Sequence, residues 1–586
     1  MIFGKHINRY YLRYLVWFLL GMITLVAVDY CQMVIPKLYR TVINGMNTGF
    51  VDAATPFTMD VLLDRVCMPL LAVILVMVVG RFLWRVCFFG VAVKVEKHLR
   101  DRMFDRARHL SREYYQVNKV GDLMSLFTND LDTVQECIGW GIMMLFDAVV
   151  MGSMAVYNMW QMDHLLTVLS MIPMALLLGA STILGKYMTK KWDERQEAFS
   201  RMSDFAQESF SGIAVIKAFV KEALELMAFR KLNDENEKTN IAFTRASVLM
   251  RILTIGFVEV VICVILSYGG YLVYNHTFDA GMLLEFLSYF LAVIWPIMAV
   301  AELIDMTSRG AASLKRVSEL LDAPIHVQDA PGVTPLPQIQ GGVEFRNLTF
   351  RYPGADYNAL EDVSFTIHPG ENVGLVGKTG SGKTTLVDLL LRTYNVPDGT
   401  IFLDGHDVNT VPIRDVRAGC AYVPQDNFLF SDTIANNIAF ASDNQHRESV
   451  MAAAKLADVD DNISQFQLGY DTVLGERGVT VSGGQKQRIS IARALMKQAP
   501  ILILDDSVSA VDTKTETAIL KNLRQTRQGM TTILIAHRIS TIEKMDKILF
   551  LEQGRISGIG SHQELYRTNP AYQKMVDLQK LEQEGM

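Results

Sequence analysis

The chain has 586 residues, half of them hydrophobic and a fifth charged, with a net charge of −6. That length exceeds a single domain, and the mixture fits a membrane part joined to a soluble part rather than a uniformly buried chain. The acidic balance gives no basis for nucleic-acid binding, and the six cysteines show no CxxC pair or other metal-ligand spacing.

Residues 1–13 mix Ile, Phe, Tyr and Leu with Lys5, Arg9 and Arg13, the pattern of a short helix lying in a membrane interface. The apolar run that follows is too long for the core of a signal peptide and lacks a small-residue cleavage site, so it reads as a retained span. Apolar stretches of membrane-crossing length predict six spans, at about 14–36, 67–90, 138–160, 164–187, 248–274 and 281–306. Segments 91–137 and 188–247 are long, polar and basic, whereas 161–163 and 275–280 contain no Lys or Arg. The positive-inside bias puts both long segments, and both ends of the domain, on the cytoplasmic side, leaving 37–66 as the one sizeable outward loop.

Both cytoplasmic segments are apolar-periodic with few breakers. They predict helices that continue beyond the membrane and turn near 112–121 and 209–215. Such hairpins suit transmission of motion from a cytoplasmic motor, or a plain helical stalk. Residues 322–342 carry four prolines and no long apolar run, the composition of an extended linker. Short β-rich runs then alternate with helical patterns, as in an α/β domain with a largely parallel sheet. The expected organisation is a transmembrane domain over 1–321, a linker over 322–342 and a second domain over 343–586.

In the second domain, ENVGLV leads into GKTGSGKT (377–384) and then into a helical run. This is a P-loop in its strand–loop–helix setting. Gly377, Gly380 and Gly382 let backbone N–H groups close around phosphate, with Lys378, Thr379, Ser381 and Thr385 completing the cradle. Lys383 is suited to the β- and γ-phosphates and the Thr384 hydroxyl to Mg²⁺. The following helix aims its positive end at the same anion. Downstream, ILILDD (501–506) is an apolar strand ending in two carboxylates, of which Asp505 suits the Mg²⁺ shell. These two motifs specify a P-loop NTPase and nothing narrower.

The stretch VSGGQKQR (481–488) lies between them, and with it the chain resembles the ABC ATPase family. The resemblance implies that Ser482, Gly483, Gly484 and Gln485 form the signature that contacts ATP bound on the opposite subunit; Val481 replaces the usual Leu. It also implies that Tyr352 stacks on adenine, and that Gln425 senses Mg²⁺ and the attacking water. TVLGERG (472–478) is similar to the loop that meets the coupling helices of exporters. SAVD (509–512) is similar to the D-loop, and His537 to the switch histidine at the γ-phosphate. A membrane domain placed first, with long cytoplasmic hairpins, resembles ABC exporters. The implied fold is therefore a six-span helical membrane domain with long cytoplasmic extensions, followed by an α/β P-loop nucleotide-binding domain. The implied setting is the bacterial cytoplasmic (inner) membrane, with the nucleotide-binding domain in the cytoplasm. ATP and Mg²⁺ are the expected cofactors, membrane lipid the surroundings and a second ABC half-transporter the expected partner.

Active ABC sites carry Glu after the Walker B Asp; here that position is Asp506. Aspartate is one methylene shorter, so its carboxylate falls about 1.5 Å short unless the backbone moves, and such misplacement costs about a hundredfold in rate. With the signature intact, the chain resembles the degenerate-site subunit of heterodimeric multidrug exporters. A homodimer with two slow sites, and a mainly regulatory ATP-binding subunit, are the alternatives. The expected cargo is an amphipathic small molecule, a drug or lipid, with peptide, haem or one defined lipid as alternatives. Asp29, Arg81, Asp147 and Glu259 fall within predicted spans, and Arg85 and Glu285 nearer their ends. Each lines a cargo cavity or pairs internally to fix helix packing.

Overall fold

Breaker-poor apolar stretches fold into long helices in the first half, and alternating short runs into two sheets in the second. The computed structural model describes residues 2–52, 55–336, 338–442, 446–475, 478, 480–509 and 511–584. The chain divides into two compact units. One comprises 1–106 and 121–322, the other 107–120 and 323–586.

In the first unit a short helix, Asn8–Arg13, precedes the long ones. Among the described residues, five helical stretches are long and apolar enough to cross a membrane: Leu15–Thr48, Met59–His109, Val120–Met162, Glu222–Tyr274 and Ala280–Asp322. The expected span at 164–187 opens the 48-residue helix His164–Ser211, whose described apolar stretch is His164–Leu177. Helices continue well past the apolar segments, as in Met68–His109 and in the pair His164–Ser211 and Glu222–Tyr274, which run alongside each other. The expected outward loop at 37–66 is shorter than its sequence suggests. The first long helix passes through Pro36 and stops only at Gly49, whose φ of 75° caps it. The turn-prone pair Asn44–Gly45 also lies inside this helix without ending it. A small hairpin, Phe50–Asp52 against Thr55–Pro56, makes the turn.

The outer faces of these helices present Leu19, Ile23, Leu75, Val78 and Phe82, as suits hydrocarbon surroundings that supply no hydrogen bonds. Met33, Met151, Phe286, Tyr289 and Phe290 pack between them. Several of the ionisable side chains have internal partners, Asp29 and Asp147 sharing a side-chain hydrogen bond. Asp147 accepts from Trp295 Nε1 at 2.8 Å. Glu285, buried, accepts from the Tyr289 hydroxyl at 3.0 Å and meets Arg40 at 3.4 Å, while Arg40 also meets Asp279 at 3.1 Å. Asp29 is buried, Glu259, Arg81 and Arg85 are exposed, and Arg85 lies over the Trp84 ring.

Among its described residues the second unit holds ten strands, numbered here β1 (Val343–Phe350), β2 (Leu360–Ile367), β3 (Asn372–Val376), β4 (Ile401–Leu403), β5 (His406–Asp407), β6 (Cys420–Val423), β7 (Ile501–Asp505), β8 (Thr531–Ile535), β9 (Lys547–Glu552) and β10 (Arg555–Gly560). A six-stranded sheet runs in the order β10-β9-β3-β8-β7-β6, parallel except for the edge pair β9–β10. Its central strands are near-continuous apolar runs, and every residue of β7 and β8 is buried, the pattern of a sheet covered on both faces. A separate antiparallel sheet, β2-β1-β4-β5, packs Phe345, Val363 and Leu403 into a core shared with Leu375 and Leu386. In an open parallel sheet, ligands sit beyond the carboxyl ends of the strands. Four neighbouring strands, β3, β8, β7 and β6, thus aim their following loops at one place.

Candidate functional site

The loop after β3 is the P-loop, and its glycines answer to different constraints. Gly382 caps the helix Lys383–Leu390 with φ of 100°, a conformation that side chains resist. Gly377 has ordinary φ, but a Cβ there would lie 2.2 Å from the Leu551 carbonyl. Lys383, buried, turns its Nζ back to donate to the carbonyls of Gly377 and Lys378, both at 2.9 Å. The Ser381 hydroxyl is buried without a partner, an unpaired donor in the loop that phosphate oxygen would satisfy.

The loops after the other three strands bring Asp505 and Asp506 (β7), His537 (β8) and Gln425 (β6) to the same cleft. It has a volume of about 480 Å³ and is also lined by Tyr352, Thr379, Lys383, Thr384 and Thr385. The Tyr352 hydroxyl donates to Thr385 Oγ1 at 2.9 Å, and its ring packs edge-on to Tyr394. Burial pushes the Lys383 ammonium down, with Asp505 and Asp506 opposing the shift. Burial raises Asp505; a hydrogen bond with Thr384 lowers it, Asp506 and Asp388 raise it, and Lys383 lowers it. Thr384 and Asp505 supply hard oxygen donors side by side, and Gln425 lines the same cleft. These donors fit Mg²⁺, which takes few protein ligands and completes its shell with phosphate and water. When bound there, the ion would neutralise charge between the β- and γ-phosphates.

The signature does not join this cleft. Ser482 caps the helix Gly483–Met496 in a reciprocal box: its Oγ accepts from Gln485 N–H and the Gln485 side chain accepts from Ser482 N–H. Ser482 and Gly483 stand exposed, with Gly484 and Gln485 partly so. The anion-binding end of that helix is thus free to face something outside the chain. Of the loop at 472–478, Glu476 and Arg477 lie outside the described residues, as does Ala510 of the stretch 509–512. Asp512 caps the helix Thr513–Thr526 by accepting from the N–H groups of Lys514 and Thr515.

Several supporting residues carry no local sequence signal. Tyr422, on β6, reaches Asp505 Oδ2 with its hydroxyl at 3.5 Å. Gln487 donates to the Asp506 carbonyl at 3.5 Å. Gln579, on the helix Pro570–Glu584, holds the loop after β8 from both sides, donating to the His537 carbonyl at 2.7 Å and accepting from Ile539 N–H at 2.8 Å.

Residues 18–297 match the ABC transporter transmembrane region and 360–509 the ABC transporter domain. A probable multidrug resistance ABC transporter ATP-binding/permease protein, YheI of Bacillus subtilis (strain 168), is 36% identical over 99% of this chain and 97% of its own length. The multidrug resistance-like ATP-binding protein MdlA of Escherichia coli (strain K12) is 36% identical over 95% of this chain and 93% of its own. Among solved structures, a bacterial Atm1-family ABC exporter with ATP bound covers 98% of each chain, with a TM-score of 0.77 and 27% identity. A P-loop cleft at the strand ends and relatives that span nearly the whole length meet in one conclusion: the chain belongs to the ABC transporters, as a multi-pass bacterial membrane exporter whose cytoplasmic domain binds ATP and hydrolyses it to drive transport.

Proposed function

We propose that this chain is one half of a heterodimeric exporter, with six crossings, an own ATP site that hydrolyses slowly, and a signature that completes the partner's site. The carrying observation is Asp506 and its fixed backbone. Its N–H donates to the Ile535 carbonyl at 3.0 Å, and its own carbonyl accepts from Ser509 N–H, the Ser509 hydroxyl at 2.8 Å and Gln487. Its φ is 46°, a left-handed position that Asp tolerates better than most residues. A backbone held by four hydrogen bonds cannot advance to replace the missing methylene, so the carboxylate stays about 1.5 Å short of where a Glu would act on water. In this reading Lys383, Thr384 and the P-loop amides hold ATP, Asp505 and Gln425 hold its Mg²⁺, and His537 senses the γ-phosphate.

The exposed end of the signature helix supports a second half. So do the uncovered apolar side chains Phe210, Val215 and Phe219 on the second cytoplasmic turn, and Phe428 and Phe440 on the nucleotide-binding domain, since patches of this kind mark interaction surfaces. The cargo is an amphipathic small molecule. The names of the relatives point to drugs, and the ATP-dependent lipid A-core flippase of Syntrophus aciditrophicus, 33% identical over 89% of this chain, keeps lipid beside them.

The test is steady-state ATPase activity of the full chain purified alone and with its co-expressed second half. In the pair whose second half has its own P-loop lysine replaced, so that only this chain's cleft can turn over, Asp506→Glu raises turnover at least tenfold, the direction set by about a hundredfold misplacement cost. Turnover unchanged by Asp506→Glu, with wild-type rates typical of a competent exporter, overturns the slow-site assignment.

A further inference from the structure

The tip of the first cytoplasmic hairpin, residues 107–120, belongs to the same compact unit as the nucleotide-binding domain. Its short helix, Arg112–Val117, starts with an arginine whose Nη1 lies 2.6 Å from Asp388 Oδ1. Asp388 sits on the P-loop helix, one turn beyond Thr384, and its side chain is 5% exposed against 50% for Arg112. A carboxylate so placed works against the site it serves. The helix offers its positive end to the phosphates, and a negative charge on its second turn opposes that field. Its influence reaches Asp505, Tyr422 and Tyr352, so it reaches the cleft. Burial raises Asp388, and Arg112 is the largest influence pulling it back towards the ionised form.

We propose that Arg112 is a positioning residue for nucleotide: by neutralising Asp388 it lets the P-loop helix hold ATP, so that ATP affinity depends on whether the hairpin tip is docked. The coupling is reciprocal, because whatever the tip contributes to ATP binding, bound ATP returns to the docked tip. Movement of the hairpin then changes ATP affinity without any displacement of Lys383 or Thr384. This rests on the cleft being the ATP site, which Lys383→Ala tests separately by abolishing nucleotide binding.

The experiment is equilibrium binding of a fluorescent N-methylanthraniloyl-ATP with Mg²⁺ to the full-length chain in lipid nanodiscs. Arg112→Gln raises Kd about tenfold, or about 1.4 kcal/mol. The double variant Arg112→Gln/Asp388→Asn binds within about twofold of wild type, because no uncompensated charge remains, and Asp388→Asn alone binds at least as tightly as wild type, because the charge it leaves is the half-exposed Arg112 cation, whose sign favours phosphate. Arg112→Lys keeps most of the affinity, and raising salt from about 50 to about 500 mM narrows the Arg112→Gln defect through screening. A double variant as weak as Arg112→Gln would mean the tip acts only as packing and would overturn the proposal. So would wild-type affinity in Arg112→Gln, or a tenfold loss in Asp388→Asn alone.

Discussion

On the proposed slow-site reading, one missing methylene at Asp506 sets the rate of this chain's own cleft, while the residues around it stay in place. Asp505 has its hydrogen bond with Thr384, Lys383 is folded into the loop, and Tyr422 and Gln487 brace the end of β7. With that frame intact, Asp506→Glu should yield an active site rather than a broken one. In the Asp506→Glu background, His537→Ala should remove most of the recovered turnover. Gln579→Ala should lower it several-fold by releasing the loop it clamps at the His537 carbonyl and Ile539 N–H, without weakening ATP binding. Single-turnover hydrolysis alongside binding separates the two effects. That Lys383, Gln425, Asp505 and His537 meet in one cleft was legible in the sequence, because each closely follows the end of a strand. Arg112 and Asp388 were not, since they are 276 residues apart and only the folded sheet and hairpin bring them together. Gln579 was hidden for the same reason: a glutamine on a terminal helix has no pattern until its partner loop is in place.

At the scale of elements, two helix N-termini divide the labour. The helix Lys383–Leu390 begins inside this chain's own cleft, and Gly483–Met496 begins outside it. The Ser482 box spends the side chain of Gln485 on capping its own helix, which keeps the first turn ordered while its amides stay exposed. Losing such a cap costs about 1 kcal/mol. Ser482→Ala should therefore leave ATP binding to the isolated chain unchanged while lowering turnover of the assembled pair about tenfold or more, measured as ATPase activity with the second half present. A fall in ATP affinity of the isolated chain would place the signature in the wrong site. The helices of the membrane part were legible from apolar length, but their ends were not. The first expected span closes at 36, yet its helix runs through Pro36 to Thr48, because a single proline kinks a helix without ending it when the following turns remain favourable.

For the whole molecule, a membrane unit and a nucleotide-binding unit on one chain provide one P-loop and one signature that do not share a cleft. On the proposed reading each is completed by a second half-transporter, so the working assembly would pair this chain with another. The central claim is that they are unequal, with hydrolysis concentrated at the partner's P-loop. The direct measurement is photolabelling of the purified pair with 8-azido-ATP after vanadate trapping, resolving the two chains and the nucleotide each retains. The account predicts trapped ADP on the partner chain and unhydrolysed ATP on this one. Equal trapping of ADP on both chains, or a transport-competent complex built from this chain alone, would contradict it.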